Sequence, residues 1–103
     1  MKVLPKPLSF VWDKGNEEKN LRKHSVSNKE TEEAFFDKKK KTFPDRLHSA
    51  HEERFRIIGK TKHRRLLFIV FTIRRLTIRI ISARDINKKE VSLYEKTTKT
   101  TKI

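Results

Sequence analysis

Hydrophobic residues come in short bursts between long charged stretches, and their spacing changes from helical to alternating about halfway along the chain. Phe10-Val11-Trp12 is a brief apolar stretch that reads as an edge strand. Asp13 is placed to cap a helix over Lys14 to His24, a weak one because of Gly15 and the single apolar Leu21. Ser27-Asn28-Lys29-Glu30 has the spacing of a capping box, in which the Glu30 carboxylate reaches back to the Ser27 amide. It opens a second helix to about Asp37, with Thr31, Ala34 and Phe35 on one face, and the charge run Lys38 to Lys41 ends it. Thr42-Phe43-Pro44-Asp45 is extended or turning, because Pro44 disfavours helical geometry in Phe43.

Arg54 to Lys60 alternates as a strand with Phe55 and Ile57 on one face, and Gly59 marks its end or a bulge. Leu66 to Phe71 is apolar on both faces, as a central strand covered on both sides must be. Leu76 to Ser82 alternates again, with Leu76, Ile78 and Ile80 on one face and Thr77, Arg79 and Ile81 on the other. Asn87-Lys88-Lys89-Glu90 is a second capping box, opening a helix near residues 88–96, with Ile86 and Val91 spaced for a hydrophobic staple. The tail Lys96 to Lys102 is low in complexity and poor in apolar residues, so it should fray. The expected fold class is α+β: a small antiparallel sheet of three to four strands with two N-terminal helices and one C-terminal helix.

Composition sharpens this picture. With 103 residues, 34% hydrophobic and 39% charged, the chain can build one domain with a modest core. A net charge of +14 far exceeds the ~2–8 that solubility asks of a small domain, and it attracts polyanions. Nucleic acid is the first partner expected, with an acidic protein second. The absence of cysteine excludes disulfides, a thiolate nucleophile and a Cys-based zinc site. Met1 to Pro7 lacks the apolar region of a secretory signal, and Leu66 to Phe71 is far short of the ~20 residues of a membrane span. A cytoplasmic protein without a membrane partner is therefore expected.

Candidate chemistry concentrates in arginine. Between Arg64 and Arg84 lie Arg65, Arg74, Arg75 and Arg79, with no acidic residue among them. Guanidinium forks pair with phosphate at two points, where lysine is a point charge. The hairpin arginines divide evenly between phosphate binding and plain solvation, whereas Arg79, mid-strand among apolar residues, needs a partner or a function. His24, after Arg22 and Lys23, suits a helix C-terminus electrostatically; its other role is general acid or base. Glu52-Glu53-Arg54 is either an ion-pair rim or a base beside a phosphate clamp. His48-x-x-His51 lacks the carboxylate and cysteine neighbours of a zinc site, so neither metal nor cofactor is expected. Walker, dinucleotide, nucleophile-elbow and HExxH motifs are absent.

Phe10-x-Trp12-Asp13 followed by Asn20-Leu21-Arg22-Lys23-His24-x-Val26 resembles the opening signature of the BrnT toxins of bacterial toxin–antitoxin pairs. The resemblance continues through Phe43-Pro44-Asp45, His48-Ser49, Glu52-Glu53-Arg54-Phe55 and Ile58-Gly59. It closes on Arg65-Leu66-Leu67-x-x-Val70-x-Thr72-x-Arg74, Ile78 to Arg84, Glu90 and Tyr94. It implies a RelE-like fold, with residues 1–8 an extension, 9–95 the toxin domain and 96–103 a flexible basic tail. It also implies a ribonuclease that blocks translation, a BrnA-like ribbon-helix-helix antitoxin as partner, and operator DNA bound through that antitoxin. Metal-free cleavage needs a base, an acid and cations on the developing charge. The expected catalytic group is His24, Glu53, Lys23, Arg54 and Arg79, with His24 or Glu53 for proton transfer and Arg74 and Arg84 holding phosphates. The alternative is a non-catalytic antitoxin- or nucleic-acid-binding protein with the same fold. Three positions depart from the family pattern. Asn16 replaces a lysine, Ser25 a glycine at the helix cap, and Arg75-Leu76 a glycine-rich turn.

Overall fold

The computed structural model describes Leu4, residues 8–45 and residues 52–100, with backbone alone at 16, 17 and 96–100. Five strands form one mixed sheet. They are β1 (Phe10–Val11), β2 (Lys41–Pro44), β3 (Arg54–Lys60), β4 (Leu66–Arg74) and β5 (Thr77–Asp85). Three helices accompany them: α1 (Lys14–His24), α2 (Asn28–Phe35) and α3 (Lys88–Thr100). The order across the sheet is β1-β5-β4-β3-β2, antiparallel except for the parallel β1–β5 pair. The expected antiparallel sheet of three to four strands is therefore corrected at both edges. At one, β1 adds in parallel to β5, and the Ile78 N–H donates to the Ser9 carbonyl at 2.7 Å. At the other, Lys41–Pro44 pairs with β3, where a proline is tolerated because an edge strand leaves one side of its backbone unpaired.

The long apolar strand β4 lies in the middle, as its two-sided hydrophobicity requires. One face packs Phe55, Ile57, Leu67, Ile69, Phe71, Ile78, Ile80 and Ala83 against Val26, Ala34 and Phe35. Phe35 makes edge-on ring contacts with Phe10 and Phe71. The opposite face carries a smaller cluster of Ile58, Phe68 and Tyr94 under α3. Both capping boxes form: Ser27 with Glu30, and Asn87 with Glu90. Gly59 neither ends β3 nor bulges it. A β-carbon there would press into the Ala34 carbonyl, so glycine lets α2 lie directly on the strand.

Two local features were hidden from the alternation pattern. Leu76 is not a strand residue. With Arg75 it forms a two-residue turn, φ 49° and 64°, in the left-handed region that such hairpins demand. Further on, Val70 pairs with Ser82 but Phe71 pairs with Ile80, so Ile81 is an extra residue in β5. That bulge decides which side chains share a face. Arg79 and Arg84 are an odd number apart and would otherwise point to opposite sides. With the bulge, both lie on the face away from α2, and Ala83 rather than Ser82 enters the core.

Candidate nucleic-acid interface

The face away from α2 is covered by α3 over Ile58 and Phe68 at one end. Towards the other end it carries a transverse row: Arg54 on β3, Thr72 on β4 and Arg79 on β5, paired in direct register. Side chains opposite one another on adjacent strands stand about 5 Å apart, so the two arginines flank the Thr72 hydroxyl. Thr72 is 2% exposed, and among the described residues its Oγ1 has no hydrogen-bond partner. Arg79 Nη2 reaches Asp13 Oδ2 at 3.4 Å, answering the need for a partner that its mid-strand position raised.

Glu52 joins this group. It accepts from Arg74 Nη2 at 2.9 Å. The Arg74 hydrogen bond, helped by the charges of Arg74, Arg79 and Arg54, holds its pKa below the usual carboxylate range. Sequence reasoning favoured Glu53, which the structure leaves exposed, and passed over Glu52. The spacing Glu52-x-Arg54, a strand repeat, was the available signal. Beside the row lies a shallow groove of about 360 Å³ lined by Lys19, Asp45, Arg54, Arg56, Phe68, Val70, Ile81 and Ser82. Arg84 lies 4.4 Å above the Phe68 ring and is gripped by both Glu90 oxygens at 3.0 and 2.8 Å. Burial pushes the Glu90 pKa up, but Arg84 and the Asn87 N–H outweigh it and hold the carboxyl low.

Arg54, Arg79 and Arg84 thus share one face with Arg74 at its rim, while Lys23 and His24 sit elsewhere. They end α1, whose start at Asp13 meets Arg79, so a helix length of roughly 15 Å separates them from the row. There the His24 carbonyl accepts from Arg65 Nη2 at 2.8 Å. Arg65 also binds the Ser25 carbonyl, Glu30 and Asp85, so it is a tie between α1, α2 and β5 rather than a solvated hairpin arginine. Its pKa is raised, first by the Asp85 hydrogen bond. Ser25, at φ 53°, takes the left-handed cap expected of it. Asn20 is a further residue whose role was not read. Buried beneath α1, it accepts from the Ala83 N–H at 3.1 Å and continues the hydrogen bonding of β5 beyond β1. His48 and His51 lie outside the described residues. Among the described residues no group of three or more His, Asp or Glu is arranged to hold a metal, and no helix is long and apolar enough to cross a membrane.

A five-stranded sheet with α2 packed on one face, and a guanidinium row beside α3 on the other, defines a small basic α+β protein of the kind that attracts polyanions. Residues 12–90 match the family model of the ribonuclease toxin BrnT of type II toxin–antitoxin systems, and the chain belongs to that family. Membership implies ribonuclease activity, RNA as substrate and an antitoxin as partner. The fold is similar to the 1.1 Å crystal structure of the Brucella abortus ribonuclease toxin BrnT. The two share 19% identity with a TM-score of 0.61, over 79% of this chain and 99% of that one. No curated protein matches the chain.

Proposed function

We propose that the chain is a metal-independent endoribonuclease that blocks translation in the cytoplasm. A BrnA-like ribbon-helix-helix antitoxin neutralises it, and the pair binds operator DNA through that antitoxin. Residues 9–95 form the toxin domain, with a RelE-like fold. The row Arg54–Thr72–Arg79 carries this reading, because it offers two guanidiniums around a donor hydroxyl, the complement of a phosphodiester. In the reaction, the ribose 2′-oxygen loses its proton to a base and attacks phosphorus. The bond to the 5′-oxygen breaks, and that oxygen takes a proton as it leaves. Arg54 and Arg79 stabilise the extra negative charge on the phosphorane, and Thr72 donates a third hydrogen bond. Arg74 and Arg84 hold neighbouring phosphates. Glu53 adjoins the row in sequence and takes the proton-transfer role ahead of His24, which with Lys23 stands at the far end of α1. Glu52, held ionised by its arginines, orients Arg74.

A non-catalytic antitoxin-binding protein is the second reading. It is favoured by the carboxylates that already engage Arg74, Arg79 and Arg84. Incubating the purified protein with RNA in chelator separates the two. The first reading expects fragments ending in 2′,3′-cyclic phosphate, and a loss of about a hundredfold in rate for Arg79→Ala with the fold intact. Intact RNA at every protein concentration, from a protein that still binds its antitoxin, would establish the second.

A further inference from the structure

The groove beside the arginine row holds one arginine unlike the others. Arg65, Arg74, Arg79 and Arg84 each meet a carboxylate at ion-pair distance. Arg56 is half-buried, yet among the described residues its one hydrogen bond is a long one, from Nη2 to the Pro44 carbonyl at 3.4 Å. Its buried Nε has no partner among the described residues. The guanidinium lies 6.0 Å from the Phe43 ring centre, a contact that orients its plane without using its donors. Polar donors left idle beside an apolar floor are costly unless a ligand takes them.

The rest of the groove shows what that ligand is. Phe68, Val70 and Ile81 provide an apolar bed, and Ser82 and Asp45 add polar groups at its sides. Arg56 pairs in register with Val70 and lies one strand repeat from Arg54, so the bed begins about 7 Å from the arginine row. That is the separation of a nucleotide's base from its phosphate. A guanidinium fork matches the O6 and N7 acceptors of guanine. Adenine puts a donor where O6 would be, and pyrimidines lack N7.

We infer that this groove is a base subsite selective for guanine, read by Arg56 through O6 and N7. The inference rests on the reading of this face as the RNA site. Binding of the whole protein to UUGUU, UUAUU, UUCUU and UUUUU at low salt tests it. Guanine at the centre should improve affinity about tenfold or more. Replacing it with 7-deazaguanine, which lacks the N7 acceptor and leaves the protein unaltered, should remove most of that gain. Arg56→Lys, which keeps the charge but loses the fork, should cut the guanine preference to about twofold or less. Equal affinities for the four oligonucleotides would overturn the subsite while the RNA face stands. Preference surviving in both the 7-deazaguanine and Arg56→Lys measurements would overturn the assignment to Arg56. Failure of every oligonucleotide to bind would overturn the RNA face itself.

Discussion

Gly59 shows how one side chain can be excluded by an element far away in sequence. A β-carbon there meets backbone atoms of Ala34, and backbone cannot swing aside as a flexible side chain would. Gly59→Ala must therefore lift α2 from β3, and the cost of such overpacking is about 3 kcal/mol. In a domain of this size that lowers the melting temperature by about 10 °C or more, and an unchanged melting curve would refute the close-approach account. The cause was illegible in the sequence because a glycine in a strand pattern announces a bulge, an end or a close approach without saying which. Asn20 was hidden for the same reason, since the Ala83 N–H it satisfies is remote in sequence. Arg79 was legible, because a charge among alternating apolar residues demands an answer wherever it lies, and Asp13 gives it. The choice between Glu52 and Glu53 turned on which side of the chain faces the arginines, and two adjacent glutamates look alike in sequence.

At the scale of elements, each helix was visible through its caps and each long strand through its hydrophobicity. The edge strand at Phe10-Val11 was visible too, but its parallel pairing with β5, the pairing of β2 and the bulge were not. Two-residue β1 and proline-ended β2 carry too few residues to show a period, and one extra residue at Ile81 reverses the facing of everything after it. The β4–β5 turn places Arg75 and Leu76 in left-handed geometry, which costs a side-chain-bearing residue about 1 kcal/mol or more. Replacing the pair by Asn-Gly, which that turn favours, should raise the melting temperature by several degrees, about 4–8 °C per kcal/mol gained. A variant no more stable than the parent would show the turn is unstrained. The docking of α3 has a different dependence, on pH. Tyr94 donates to Asp37 at 2.8 Å, while Glu90 holds Arg84. Burial pushes the Asp37 pKa up, but the Lys39 N–H, Tyr94 hydroxyl and Lys60 N–H outweigh it, and Asp37 and Glu90 both titrate below their usual range. The unfolded chain then binds more protons, so this stability is complete above pH of about 5 and is lost as pH falls below about 4. Thermal denaturation from pH 7 to 3 should be flat and then fall, and Asp37→Asn should soften the fall. An identical acid profile in that variant would remove Asp37 from the account.

For the whole molecule, charge and architecture have to be read together. The chain carries a net +14, but α2 covers one face of the sheet, α1 meets its β5 edge through Asn20, and α3 covers only part of the other face. The strip that no described helix covers carries Arg54, Arg56 and Arg79, with Arg84 at the border of α3. An RNA phosphate and an antitoxin carboxylate ask for the same donors in the same geometry. The simplest neutralisation of such a toxin is therefore an acidic segment laid along this strip, which also steers encounter and rejects other partners. The internal pairs already imitate it on a small scale, since Asp13 occupies Arg79 and Glu90 occupies Arg84. We predict that the antitoxin covers Arg54, Arg79 and Arg84. Arg79→Ala should then weaken RNA cleavage and antitoxin binding together, with antitoxin affinity falling by about tenfold or more once the opposing carboxylate is left unpaired. Asp13→Asn should shift both in the opposite direction by removing the competitor. Calorimetry at fixed salt, on variants whose melting curves confirm an intact fold, measures the antitoxin side. Cleavage lost in Arg79→Ala with antitoxin affinity unchanged would place the antitoxin on the helical face instead.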